Sequence, residues 1–287
     1  MGFRKLLLLI LPLQLFFFGC KKINPEEEIP SYIYIPYCKF TSDSLNQGTN
    51  LQDFSDVWVF KNNDFLGCYP VGSKIPILAE GNTIIKMRAG IKNVGIESLR
   101  SIYPMVQFYE TNVNLKRGEV QTIVPDFLYF TGISFLRLES FSNPGTILAP
   151  TLSTDTFLSV YSGSGPESIP GQGNCGFIYL DNVYQFFEAI SGSAIPYQLP
   201  SRLCYLEMHY KSNTDLNISV SNGSTDIRLC ARLFATEGNW KKIYIPLTEN
   251  LNLAPTLLNF YLVLRASRTG SGPDPRIYID NIKIIRQ

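Results

Sequence analysis

Histidine is nearly absent: His209 is the only one in 287 residues. Any catalytic triad or histidine-based metal centre has to use it, which removes sites needing two or three histidines. No G-x-S-x-G, H-E-x-x-H or P-loop run occurs, and the glycines of "SGSGPES" lack the strand-to-helix setting in which backbone N–H groups cradle phosphate. Charge of one sign is missing too. With 25 Lys+Arg against 24 Asp+Glu and no long basic stretch, the electrostatic footprint of a nucleic-acid binder is not there. Charged residues make up only 17%, below the usual ~25%, so neutral polar groups and aromatics must cover much of the surface. No C-x-x-C pair occurs, and long amphipathic helices are hard to find. The expectation is a protein that is not an enzyme.

What is present reads as strands. Tyr, Phe, Ile, Asn, Ser and Thr dominate, with Gly and Pro punctuation every ~8–12 residues, the pattern of β-sandwiches. "SDVWVFKNNDFLGCY" predicts a hairpin whose Asn62-Asn63-Asp64 turn suits positive φ. In "TIIKMR", Thr83, Ile85 and Met87 share one face, which predicts a strand with one buried side. Later runs such as "LCYLEMHYKS", "WKKIYIPLT" and "RIYIDNIKII" repeat the alternation. The predicted class is all-β: a small N-terminal β-sandwich domain, then a larger antiparallel jelly roll.

The N-terminus carries an address. Arg4 and Lys5 precede an apolar run from Leu6 to Phe18, too short for the ~20 residues that span a bilayer and suited to a signal-peptide core. Gly19-Cys20 resembles the lipobox of bacterial lipoproteins, which implies removal of residues 1–19 and acylation of Cys20, an anchor far firmer than one myristoyl chain. Lys21 stands where an aspartate would resemble an inner-membrane retention signal, so the resemblance implies the outer membrane, on its periplasmic or its surface face. Residues 20–29, with Pro25-Glu26-Glu27-Glu28, read as a tether. Cys20 then leaves the disulfide count, and the remaining five cysteines cannot all pair. A Cys204–Cys230 pair is compatible with an oxidising envelope; buried free thiols are the default.

The block "VWVFKNNDFLGCYPV…IPILAEGNTIIKMRAGIK" resembles PEGA-like modules, implying a small extracytoplasmic spacer or interaction domain over residues 30–125. Residues 126–287, through "YLEMHYKSN", "NWKKIYIPLT" and "IYIDNIKII", resemble the galactose-binding-like jelly rolls of carbohydrate-binding modules. That resemblance implies glycan binding, and a structural calcium held in part by Asp280. Asp181 and Asp280 both sit in strand-like text, where a carboxylate needs a partner or a metal.

In "YLEMHY", Leu206, Met208 and Tyr210 read as core. Tyr205, Glu207 and His209 form the opposite face, which reads either as a solvated outer face or as a concave binding face completed by Trp240. Trp58 reads as a core pillar; Tyr184 and Tyr197 are further candidate rings for a ligand. Glu207 with Asp181 or Asp280 is the only carboxylate pairing a glycoside hydrolase would have here, and the required ~5 or ~6.5–9.5 Å separation has no sequence signature. The expected function is a lipid-anchored envelope protein that binds a glycan or envelope component without catalysis. The alternatives are a structural spacer or assembly subunit and, behind it, a glycoside hydrolase.

Overall fold

The computed structural model describes residues 28–162, 165, 167–197, 203–223, 227–253 and 259–287. Cys20, the signal peptide and most of the tether lie outside the described residues. Among the described residues, no helix is long and apolar enough to cross a membrane.

The N-terminal unit is built from β1 (Ser31–Tyr34), β2 (Lys39–Thr41), the short helix α1 (Ser44–Gln47), β3 (Asp56–Lys61), β4 (Asp64–Pro70), β5 (Lys74–Ile77), β6 (Gly81–Lys92), β7 (Arg100–Ile102), β8 (Tyr109–Leu115), β9 (Val120–Thr122) and β10 (Asp126–Leu128). A five-stranded antiparallel sheet in the order β4-β3-β6-β7, with β8 also on β6, faces the small sheets β5-β1-β9 and β2-β10. Asn62 turns the β3–β4 hairpin at φ 55°, as its side chain permits. Thr83, Ile85, Met87 and Ala89 of β6 all point inward beside the fully buried Val57 and Val59 of β3.

The C-terminal unit runs through β11 (Ser134–Glu139), β12 (Leu148–Pro150), β13 (Ser159–Tyr161), β14 (Cys175–Tyr179), β15 (Phe186–Ser191), β16 (Ile195–Pro196), β17 (Cys204–Ser212), β18 (Leu216–Ser221), β19 (Ile227–Leu233), β20 (Lys241–Pro246), α2 (Thr248–Asn252), β21 (Asn259–Ser267) and β22 (Arg276–Arg286). Two six-stranded sheets result: β13-β14-β22-β17-β20 with β11 on β22, and β12-β15-β21-β18-β19 with β16 on β21. Their pairings are antiparallel. The sheets pack face to face over Leu206, Met208, Ile218, Leu262, Ile279 and Ile284, all under 2% exposed, each contributing ~1.5–3 kcal/mol of apolar burial. Cys38, Cys68, Cys175, Cys204 and Cys230 are free thiols, so Cys204 and Cys230 form no disulfide here.

The expected boundary at Asp126 falls at the start of strand β10. Strand β10 pairs in parallel with β2, and Phe127 and Tyr129 pack in the N-terminal core, so the chain changes units at the Thr131–Ile133 turn. The units also share a core. Tyr205, Tyr244 and Ile285 of the C-terminal sheet belong to the same apolar cluster as Phe54, Tyr103 and Phe127.

Candidate functional site

One face of the β17–β22 sheet lies toward the sandwich core; the other divides into a covered and an uncovered part. Because directly opposed residues of an antiparallel pair share a face, the register sets Glu207 beside Lys283 and Tyr244, and His209 beside Asp280 and Lys242. Tyr205, Glu207 and His209 are therefore brought together as expected, but at 7%, 2% and 6% exposure they line the seam with the N-terminal unit. Neither a solvated face nor an open binding face is formed there.

The seam is polar at its centre. The Glu207 carboxylate accepts from Tyr103 Oη at 2.5 Å and Tyr129 Oη at 2.8 Å, and pairs with Lys242 Nζ at 2.6 Å. Lys283 Nζ donates to the Thr49 carbonyl at 2.5 Å and to Tyr129 Oη at 3.2 Å. Burial by itself raises the Glu207 pKa, yet Lys242 and Lys283 outweigh it and hold the carboxyl down to about 2. Burial lowers Lys283 to about 8 against the pull of Glu207. An ionised carboxylate engaged on both oxygens and shut away from solvent has no route to a substrate.

Asp280 is 2% exposed, and the hydrogen bond it accepts comes from the Asn281 N–H at 2.7 Å. Burial raises its pKa to about 7, with Glu139 adding to the rise. Calcium takes six to eight oxygens. Among the described residues no three His, Cys, Asp or Glu side chains converge, and the two oxygens of Glu139 already accept the Phe141 and Ile147 N–H groups. The acids around Asp280 do not fit the expected ion.

Trp240 parts from the other three candidates. It precedes β20, is half-buried, and its indole N–H donates to the Glu167 carbonyl at 2.9 Å. That places it at the uncovered end of the same sheet face, where β17 continues to Lys211. Here Phe177 and Tyr278 stack at 4.8 Å and 24°, Tyr161 meets Tyr278 edge-on at 5.8 Å, and Tyr179 continues the row from Phe177 at 6.4 Å. Ionic groups frame these rings. Lys211 pairs with Glu167 at 2.7 Å, and Tyr179 Oη donates to Asp274 at 2.7 Å, where Arg268 also pairs at 2.7 Å. Arg276 lies over the Tyr179 ring at 6.0 Å. A cleft of about 140 Å³ opens between Glu167, Lys211, Asn213, Arg276 and Tyr278. Sequence reasoning passed over this row because Tyr161, Phe177, Tyr179 and Tyr278 come from three strands; the alternation of "GFIY" and "RIYID" was its only trace.

The remaining candidates scatter. Trp58 is no core pillar: it lies half-buried on the outer face of β3, stacked on Phe65 at 5.4 Å, while Val57 and Val59 fill the core. Tyr197 is fully buried and bonds Asn252, whereas Tyr184 is 48% exposed. Asp181 closes a turn by accepting the Val183 and Tyr184 N–H groups, which accounts for a carboxylate in strand-like text.

No family model matches this chain, and no curated protein matches it. Among solved structures, the K1 cleaved adhesin domain of Lys-gingipain from Porphyromonas gingivalis W83 is similar at 14% identity and a TM-score of 0.39, over 52% of this chain and 96% of that one. TmCBM61 in complex with β-1,4-galactotriose gives 13% identity and a TM-score of 0.33, over 49% of this chain and 87% of that one. A variant of CBM29-2, a family 29 carbohydrate-binding module, gives 13% and 0.35, over 53% and 91%. At 14% identity or less these likenesses say nothing of what this chain binds.

Proposed function

We propose that this protein is a non-catalytic envelope lipoprotein, anchored in the outer membrane through Cys20, that binds a glycan on the uncovered sheet face of its C-terminal unit. One observation carries the reading: the half-buried Tyr161, Phe177 and Tyr179, packed around the buried Tyr278, form a ring platform beside a small cleft, flanked by Glu167, Lys211 and Arg276. Flat apolar rings with convergent polar groups at their edge are what a sugar needs, since its C–H faces stack and its hydroxyls bond sideways. The non-catalytic reading is supported by Glu207, whose carboxylate is spent inside the seam. The Gly19-Cys20 lipobox and the following tether support the anchor.

The test is a glycan array and affinity electrophoresis on the full chain in detergent, with the Phe177→Ala/Tyr179→Ala double variant alongside. Retention of at least one polysaccharide, weakened about tenfold or more in the variant, a loss of ~1.4 kcal/mol or more, is expected. No retained glycan, or equal retention by the variant, would overturn the platform. For the anchor, Cys20→Ser should abolish palmitate labelling and release the protein from membranes. A second reading, a rigid spacer with a PEGA-like first unit, is favoured by the shared core between the units; a stoichiometric crosslinked protein partner with no glycan affinity would select it.

A further inference from the structure

β14 and β11 pair with successive stretches of the same edge of β22: Gly176 reaches Ile279, and Glu139 begins again at Ile282. Between them Asp280 and Asn281 have no paired neighbour on that edge among the described residues. The other edge is irregular at the same place, since Lys283 opposes Glu207 and Asp280 opposes His209, which leaves two residues of β22 facing Met208 alone. This is a β-bulge, and Asn281 within it adopts φ 52°. Left-handed backbone at a non-glycine residue inside a strand costs free energy and clusters at functional sites.

The gap opens into a cleft of about 750 Å³ between the two units, within the size range of ligand sites. Asn281 lines it, is 5% exposed, and its Nδ2 has no hydrogen-bond partner among the described residues. A buried amide left in that state costs free energy, which a ligand acceptor would relieve. The two charged side chains of the lining are already engaged. Glu139 accepts two backbone N–H groups, and Lys283 donates to Thr49 and Tyr129 while facing Glu207. What remains for a ligand is neutral: the hydroxyls of Ser44 and Ser140 and the amides of Asn50 and Asn143, together with the acceptor oxygens of Ser142 and Gln172, whose donors already bond the Ser140 and Gly171 carbonyls. Among the described residues no aromatic ring lines the cleft, so recognition there rests on hydrogen bonds and not on stacking.

We propose that this cleft is a second binding site, for a neutral saccharide, organised around the Asn281 bulge. It is separate from the aromatic platform and stands or falls without it. A ligand held there would touch both units, the N-terminal wall through Ser44 and Asn50 and the C-terminal wall through Ser142 and Asn143.

Saturation-transfer NMR and calorimetry on the full chain in detergent test this, with glucose, galactose, mannose, N-acetylglucosamine and their β-1,4-linked disaccharides as probes and tri-serine as the peptide control. Asn281→Gly removes the amide and tolerates positive φ. The expected result is that at least one saccharide binds the wild type, weakens about tenfold or more in Asn281→Gly, and holds within about twofold in Tyr184→Ala, an exposed ring outside both sites. If Asn281→Gly does not fold, Ser142→Ala/Asn143→Ala, on the exposed loop, is expected to show the same loss. Absence of binding by every saccharide, equal binding of tri-serine, or loss in Tyr179→Ala with retention in Asn281→Gly would overturn the proposal. The last of these outcomes would leave the platform standing, and the expected result bears on the cleft alone, because the platform is tested by the polysaccharide retention of Phe177→Ala/Tyr179→Ala.

Discussion

At Glu207 the balance of burial against pairing is visible in one side chain. Moving a carboxylate out of water is costly, and only partners on several elements make it tolerable: Tyr103 and Tyr129 from the N-terminal unit, Lys242 from β20 and Lys283 from β22. His209 and Asp280, one step along the sheet, lack that support and respond to pH in opposite directions. Burial, with Lys242 second, lowers the His209 pKa to about 2, while Glu207 opposes and Lys283 assists. An unfolded histidine takes up its proton near 6.5, so the unfolded state binds more protons below that value, and this group's contribution is lost as pH falls. Asp280, raised to about 7 by burial, keeps its proton in the folded state from about pH 4 to 7 while the unfolded chain has released it. Its contribution therefore declines as pH rises through that window. Between about pH 4.5 and 6.5 the two slopes, each up to ~1.4 kcal/mol per pH unit, oppose each other. Melting followed by circular dichroism should show a nearly flat wild-type Tm across that range. Asp280→Asn should convert it to a Tm that rises with pH, and His209→Gln to one that falls; parallel profiles for all three proteins would refute the assignment.

At the level of the strand, β14 illustrates how a small residue places a whole loop. Gly176 sits opposite Ile279, and a Cβ there would come within 2.6 Å of the Phe141 ring and 2.9 Å of the Ile279 side chain. Phe141 is fully buried at φ 54° and pins the loop that follows Glu139, one wall of the cleft. Gly176→Ala should displace that ring and destabilise the fold by about 1–3 kcal/mol, read by urea denaturation. An unchanged midpoint would mean the loop yields freely. Much of this level was legible in the sequence: alternation in "TIIKMR" and "YLEMHY" identified the inward residues, and Asn62 marked its turn. The outward residues were not. Tyr205, Glu207 and His209 are polar or amphipathic, so alternation assigns them to water or to a ligand. Only the partners Tyr103, Tyr129, Lys242 and Lys283, distant in the chain, make a buried face of them. The aromatic platform was hidden for the same reason, since its rings become neighbours through strand order and not through spacing.

For the molecule as a whole, the seam decides whether two units behave as two domains. Tyr103 packs at 4.9 Å from Tyr244 and 5.6 Å from Tyr205, Val94 N–H bonds the Tyr244 carbonyl at 2.9 Å, and Asp53 N–H bonds Tyr244 Oη at 3.1 Å. Interfaces between independent domains are more polar than this and leave each side able to face water alone. Here separation would strip Glu207 and Lys283 of their phenol and carbonyl partners and expose Tyr205, Tyr244 and Ile285 together. Breaking a buried charged cluster from one side typically costs 3–5 kcal/mol. Scanning calorimetry of the full chain should accordingly give one transition, with the van't Hoff and calorimetric enthalpies in agreement. A chain beginning at Ile133 should melt lower, bind a hydrophobic dye, or fail to stay in solution. Two resolved transitions in the full chain, or a C-terminal piece as stable as the whole, would show that the units are independent and that the seam is only a contact.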